Sequence, residues 1–144
     1  MKIQSLGHVV LKVANQARAE EFYNGFLGLP IAARFERLNM TFFSLGDHHD
    51  FAVMAVGDDA AGADDKAVGL QHVAFKIGDD PEVLIEAKAK FDAAGIEVRA
   101  VDHEVTQSLY FFDPDGNQLE VYVDVSDEWK RDPQAVAQGR PLDI

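Results

Sequence analysis

Two stretches of eight residues, 64 positions apart, decide how this chain folds. Leu6–Val13 reads Leu-Gly-His-Val-Val-Leu-Lys-Val, and Leu70–Ile77 reads Leu-Gln-His-Val-Ala-Phe-Lys-Ile. In each stretch, apolar residues alternate with a histidine, a small apolar residue and a lysine, and this period of two predicts a β-strand. Because the two histidines hold the same position, the sequence predicts an internal repeat in which each copy begins with a strand.

A helix pattern follows each predicted strand. The first apolar stripe, at positions 19, 22, 23, 26 and 27, stops before Gly28, a residue that commonly ends helices. The second helix has Asp80 as its N-cap and Pro81 at its first position. Three β-rich runs then follow each helix, at 31–38, 40–45 and 51–56 in the first copy and at 96–101, 108–112 and 118–125 in the second. The order is therefore βαβββ twice, and the turn residues Asp113–Asn117 join the last two strands as a hairpin.

These elements predict an α+β fold in which two βαβββ repeats curl mixed sheets around a shared metal-binding cavity, with the helices outside. We expect one domain over residues 1–144. It comprises repeat one at about 1–57, an acidic loop at 57–69, repeat two at about 69–125 and a C-terminal tail at 126–144. The tail contains a short predicted helix and an arm, and its role is open.

Composition excludes several classes of function. The formal net charge of -12 repels nucleic acid and acidic membrane surfaces. The chain has no cysteine, which excludes disulfides, thiolate metal sites and cysteine nucleophiles. With no apolar run of membrane-spanning length and no signal-peptide core at the start, we expect a cytoplasmic protein that binds neither nucleic acid nor membrane.

The candidate metal ligands are His8, His72 and Glu120. Glu120 alternates with Leu119 and Val121 on the last predicted strand, so its carboxylate points to the polar face, as the two histidines do in theirs. If the sheets enclose a shared cavity, these side chains converge inside it. Two imidazoles and one carboxylate suit Fe(II) or Mn(II), with Zn(II) as a further alternative, and leave coordination positions open for substrate or oxygen.

The strands bearing His8 and His72, together with the run Tyr110–Glu120 (Tyr-Phe-Phe-Asp-Pro-Asp-Gly-Asn-Gln-Leu-Glu), resemble the vicinal oxygen chelate superfamily. That superfamily contains glyoxalases, fosfomycin and bleomycin resistance proteins and type I extradiol dioxygenases. The resemblance covers nearly the whole chain and is strongest to the extradiol ring-cleaving enzymes, since His49, His103 and Tyr110 match their catalytic positions. His48, by contrast, is interpreted as a surface residue.

The resemblance implies an Fe(II)-dependent extradiol dioxygenase that cleaves a small catecholic aromatic substrate with O2. His49 would act on the oxygen and shuttle a proton, while His103 and Tyr110 would orient the catechol and help to deprotonate it. The family commonly forms homodimers, so we expect a homodimer. The substrate, the native metal and any exchange of repeats between two chains are left open by the sequence.

Two alternatives stay open at this point. One is a metal-dependent glyoxalase-like isomerase or a thiol transferase of the fosfomycin-resistance type. The isomerases of this superfamily use a fourth metal ligand, Glu or Gln. It lies on the strand that here reads Phe51-Ala52-Val53-Met54, and this segment has neither residue. The second alternative is a non-catalytic protein that sequesters a ligand.

Overall fold

The chain folds into two β-sheets, of four and five strands, in the computed structural model, which describes residues 1–64 and 66–144. It divides into two compact units, Met1–Ala63 with Pro114–Gly116 and Asp64–Asp113 with Asn117–Ile144. The boundary falls in the predicted acidic loop, where Asp65 lies outside the described residues. The α+β class and the twofold βαβββ order are confirmed, whereas the single domain over 1–144 stays a prediction.

A 3-10 helix, Glu36–Leu38, lies between the second and third strands of the first unit, which has one α-helix and four strands. In chain order these are β1 (Val9–Val13), α1 (Gln16–Glu20), β2 (Ile31–Phe35), β3 (Met40–Phe43) and β4 (Phe51–Ala55). The sheet order is β1-β4-β3-β2, with β1 parallel to β4 and the other neighbours antiparallel. Leu11 and Val13 are buried while Lys12 is exposed, as the alternation predicts.

The first helix begins as an α-helix and continues as a π-helical segment over Glu21–Phe26. The wider turn closes with the Leu27 N–H donating to the Phe22 carbonyl at 2.9 Å, a bond over five residues. Gly28 follows with φ +84, the left-handed conformation that ends a helix at little cost for glycine. Tyr23 is fully buried, and its ring centroid lies 5.0 Å from that of Phe51 on β4.

The second unit follows the same order and adds a ninth strand. Its elements are β5 (Val73–Gly78), α2 (Pro81–Ala93), β6 (Arg99–Asp102), β7 (Thr106–Phe112), β8 (Gln118–Asp124) and β9 (Arg140–Pro141), with sheet order β5-β8-β7-β6-β9. The Asp80 side chain caps α2 by accepting from the Glu82 N–H at 3.0 Å, as predicted. Phe91 of α2 packs on Phe111 of β7 with ring centroids 4.5 Å apart, so α2 covers one face of this sheet and leaves the other face for the site.

Two details of the repeated strands differ from the sequence pattern. Strands β1 and β5 begin at Val9 and Val73, so each histidine lies one residue before its strand. On β5 the register shifts between Lys76 and Gly78, and the bulge leaves Ile77 36% exposed instead of on the apolar face.

The C-terminal tail runs back along the second unit. It contains two 3-10 helices, Glu128–Lys130 and Pro133–Ala137, before β9 pairs antiparallel with β6 at the sheet edge. A short helix and an arm were predicted here, and the arm is β9. Among the described residues, no helix has the length and apolar character needed to cross a membrane.

Candidate functional site

His72 and Glu120 lie together in the second unit, on the sheet face opposite α2. His72 directly precedes β5, and Glu120 lies on β8. The two strands are parallel neighbours, with Ala74 paired to Glu120. This register places His72 Nε2 3.0 Å from Glu120 Oε2. Glu120 is only 6% exposed, and a buried carboxylate is costly unless polar partners surround it.

Both groups are held by a neighbouring side chain. The buried Ser108 hydroxyl, on the adjacent strand β7, donates to Glu120 Oε1 at 2.5 Å. The Gln71 amide nitrogen donates to Gln118 Oε1 at 2.8 Å, which turns the Gln71 amide oxygen toward His72 Nδ1, where the two atoms are in contact. An amide oxygen only accepts hydrogen bonds, so Nδ1 carries the imidazole proton.

In the neutral ring this leaves a lone pair on His72 Nε2 facing Glu120 Oε2, whereas in the protonated ring the same two atoms form an ion pair. Two acceptors 3.0 Å apart repel unless a proton or a cation lies between them. A histidine that donates its other ring N–H to an oxygen is also the usual form of a metal-ligating imidazole. The donor pair therefore fits a divalent transition metal, although no three His, Cys, Asp or Glu side chains within residues 1–64 and 66–144 are grouped closely enough to hold one.

Tyr110 and His103 form a second polar pair beside Glu120. Tyr110 is paired with Glu120 across β7 and β8, and its hydroxyl lies 3.0 Å from His103 Nε2. His103 Nδ1 is 2.6 Å from the Gln138 carbonyl oxygen. Since a carbonyl only accepts, Nδ1 of His103 is protonated, and when the ring is neutral its Nε2 is an acceptor for the Tyr110 hydroxyl.

Burial, together with the charge and hydrogen bonding of Glu120, raises the pKa of Tyr110 to about 12, against the opposing effect of Arg99. The Arg99 guanidinium lies over the Tyr110 ring, 4.6 Å from its centroid. The phenol is therefore neutral at physiological pH and carries one proton that can be donated to His103 or to Glu120.

His8 and His49 lie together in the first unit. Their ring centroids are 4.2 Å apart, and the His49 ring meets Phe42 edge-on at 5.2 Å. Partial loss of water lowers the pKa of His49, and the neighbouring His8 and His48 lower it further. His48 is exposed, as expected for a surface residue.

The structure thus groups the predicted residues within each unit: His8 with His49 in the first, and His72, Glu120, Tyr110 and His103 in the second. A ligand set that joins His8 to His72 and Glu120 stays a prediction.

Sequence reasoning missed the residues that orient these groups. Ser108 could have been found, because it lies two residues before Tyr110 on the same strand and therefore shares its face. Gln71 directly precedes the second repeated histidine, and this adjacency is visible in the sequence. The Gln138 carbonyl carried no signal, since its contact with His103 spans 35 positions and uses a main-chain atom.

Comparison with known proteins identifies a family and several relatives. The family model described as the glyoxalase/bleomycin resistance protein/dioxygenase superfamily matches residues 5–121. Biphenyl-2,3-diol 1,2-dioxygenase 3 of Rhodococcus globerulus is 33% identical over 126 residues, covering 83% of this chain and 63% of that protein. Catechol-2,3-dioxygenase of Bacillus subtilis is 28% identical, covering 88% of this chain and 44% of that protein. The chain thus spans about half to two thirds of the length of these dioxygenases.

Glutathione transferase FosA of Serratia marcescens is 26% identical, covering 84% of this chain and 82% of that protein. Among solved structures, a glyoxylase/bleomycin resistance protein/dioxygenase domain from Frankia sp. EAN1pec superposes with a TM-score of 0.71 at 17% identity, covering 90% of this chain and 98% of that one. At that identity the likeness establishes the fold and nothing finer.

Proposed function

Because this chain belongs to the glyoxalase/bleomycin resistance protein/dioxygenase superfamily, we propose that it is an Fe(II)-dependent extradiol dioxygenase that cleaves a catecholic ring next to its hydroxyls. The observation that carries the proposal is the 3.0 Å approach of His72 Nε2 to Glu120 Oε2 beside the Tyr110–His103 pair. The similarity to two dioxygenases, whose own names state diol and catechol substrates, supports it.

The proposed iron ligands are His72 and Glu120, with His8 as the third because it holds the same repeat position as His72. Bound Fe(II) would supply positive charge that acidifies the catechol hydroxyls and a site where O2 and the substrate meet. Imidazole and carboxylate donors suit this metal, with Mn(II) or Zn(II) as alternatives.

The Tyr110–His103 pair is the proposed base for the substrate. A catechol hydroxyl near Glu120 would donate to the Tyr110 oxygen, and Tyr110 would pass its own proton to His103 Nε2, 3.0 Å away. The Gln138 carbonyl would stabilise the imidazolium that results, because it already accepts from Nδ1 at 2.6 Å. The hydroxyl proton of the substrate is thus accepted by this chain's own residues. His49 is the proposed proton shuttle on the oxygen side, a role that the sequence resemblance suggests.

The test is O2 uptake by protein reconstituted with Fe(II) under nitrogen, against a panel of monocyclic and fused-ring catechols. We expect one O2 consumed per ring opened in the native chain and none in Glu120→Ala. Tyr110→Phe should retain iron and lose turnover, while His49→Ala should also retain iron. Stoichiometric iron binding without O2 uptake across the panel would overturn the proposal.

A second candidate is a metal-dependent glutathione transferase, which is favoured by the match to FosA over most of that protein's length. It would use the same donor pair without consuming O2. Loss of free glutathione thiol in the presence of fosfomycin and Mn(II), with no change in dissolved O2, would select this candidate.

A further inference from the structure

A cavity of about 390 Å³ opens on the sheet face that carries Glu120. Its volume lies within the range of about 300–1,000 Å³ that is usual for small-molecule sites. Three alternate residues of β8 form one wall, Glu120, Tyr122 and Asp124, and Trp129 and Val136 of the C-terminal tail form another. Sequence reasoning left the role of this tail open.

We propose that the tail is the specificity wall of the substrate site, and that Trp129 and Val136 contact an uncharged apolar substituent on the catechol ring. The inference rests on the proposed function, which places the diol end of the substrate near Glu120. Trp129 and Val136 are 47% and 58% exposed, so two apolar side chains border this cavity without being covered by the protein core.

The wall is held in position before any ligand arrives. Arg140 donates through Nε and Nη2 to Asp102 Oδ2 at 3.2 and 2.9 Å, next to the pairing of β9 with β6. At the other end of the tail, the Ser126 hydroxyl oxygen accepts from the Glu128 N–H at 3.1 Å, one residue before Trp129. A preformed wall binds its ligand without the cost of ordering a loop.

Charge along the cavity selects against acidic substituents. Two carboxylates line it, Glu120 and Asp124, and because Glu120 would hold the metal, Asp124 supplies the charge that faces a substituent. Lys76 lies 2.6 Å from Asp124, but it also pairs with Asp79, so its charge is already engaged by two carboxylates. One ammonium does not balance Asp124 and Asp79, so a carboxylate on the substrate would face the remaining negative charge of this cluster. The favoured class is therefore a catechol bearing an aryl or alkyl group, in preference to a catechol carboxylic acid.

Trp129 is the single tryptophan of the chain, so a change in tryptophan fluorescence reports a ligand that reaches this residue. The experiment titrates the full chain, loaded with redox-inert Zn(II) under nitrogen, with biphenyl-2,3-diol and with 3,4-dihydroxybenzoate. Calorimetry gives the affinity, and tryptophan emission shows whether the ligand reaches the tail. We expect emission to change with the biphenyl diol, and the dihydroxybenzoate to bind at least about tenfold more weakly.

Variants separate the wall from the remainder of the site. Trp129→Ala should weaken binding of the biphenyl diol about tenfold, and Val136→Ala about threefold. Trp129→Phe should keep most of the affinity because it retains a ring. Ile144→Ala is the matched control, an exposed apolar residue of the same tail that does not line the cavity.

The outcomes distinguish this inference from the proposed function. If Trp129→Ala and Val136→Ala bind like Ile144→Ala, or if the dihydroxybenzoate binds as tightly as the diol, the tail assignment is wrong even where the Fe(II) protein consumes O2. If the diol binds through Trp129 and the Fe(II) protein consumes no O2, the tail assignment stands and the dioxygenase proposal fails.

Discussion

Replacing Ser108 by alanine should weaken metal binding while leaving the fold intact. The Ser108 hydroxyl is fully buried and donates to Glu120 Oε1 at 2.5 Å, so it fixes the direction in which the other oxygen, Oε2, points. Oε2 is the atom that faces His72 Nε2. Loss of a partner that orients a ligand typically lowers metal affinity about 10- to 100-fold, and we expect an effect of that size for divalent metal in Ser108→Ala.

The same change also destabilises the metal-free chain. A hydrogen bond to a charged group contributes about 1.5–3 kcal/mol to the free energy of unfolding. Glu120 is 6% exposed, so water replaces the missing donor poorly, and the upper half of that range applies. The unfolding free energy of Ser108→Ala should therefore fall by about 2–3 kcal/mol relative to the native chain.

The first unit offers a matched control in Thr41→Val. Thr41 is also fully buried, and its hydroxyl donates to Glu20 Oε1 at 2.5 Å. Glu20 keeps a second partner, because Arg34 donates to both its oxygens at 2.8 Å. The Thr41 hydroxyl also accepts from the Gln16 amide at 2.9 Å, so the change removes two hydrogen bonds. We expect a comparable loss of stability, about 2–3 kcal/mol, and no change in metal affinity.

Two measurements separate an effect on metal affinity from an effect on stability. Calorimetric titration with Zn(II) gives the affinity, and urea unfolding in the presence of EDTA gives the metal-free stability. An unchanged affinity in Ser108→Ala would refute the reasoning, as would an equal loss of affinity in Thr41→Val, since that loss would come from general destabilisation.

Two further predictions concern the tail and α2. Arg140→Gln should destabilise the chain at about pH 7, and the deficit should shrink as the pH falls, because Arg140 and the Glu104 N–H hold the pKa of Asp102 below its ordinary 3.8, and protonation of such a carboxyl removes its stabilising effect. Urea unfolding at about pH 7 and about pH 3 measures the deficit, which should not be larger in acid. Asp80→Ala should cost about 1 kcal/mol by removing the N-cap of α2, while Asp59→Ala in the acidic loop should stay within about 0.5 kcal/mol by the same measurement.

The repeat could be predicted because its two copies share the same alternation of apolar residues and the same glycine after the helix. Alternation at period two depends on local chemistry that one sequence displays. The same holds for the glycines that follow the two helices, Gly28 and, after α2, Gly95 with φ +68. Local chemistry did not reveal the π-helical segment after α1. That segment preserves the predicted burial of Phe22 and Tyr23 and changes only the hydrogen-bond spacing.

The bulge at Ile77 shows where the pattern reaches its limit. The alternation put this residue on the apolar face, together with Val73 and Phe75. A bulge depends on the partner strand, because the register with β8 shifts between Lys76 and Gly78. Register is a property of two strands, and a period read along one strand does not contain it.

The same distinction applies to the candidate site. Its residue types can be identified from the sequence, whereas the partners of each side chain depend on the fold. The sequence displays which side chains can bind a metal or move a proton, because imidazoles and carboxylates are chemically distinctive wherever they occur. It does not display tautomers. Those are set by the oxygen atoms that each imidazole meets, the Gln71 amide for His72 and the Gln138 carbonyl for His103.

Each tautomer decides what its histidine can do. With the single proton of the neutral ring on Nδ1, His72 presents a lone pair toward Glu120, which suits a metal ligand, and His103 presents one toward Tyr110, which suits a proton acceptor. Two identical side chains in one unit thus acquire different chemistry from different acceptors. In His103 that acceptor belongs to the tail, so the same segment that walls the cavity also sets the basic atom beside it. Changes in the tail should therefore affect substrate choice and proton transfer together, whereas changes at Gln71 should affect metal binding alone.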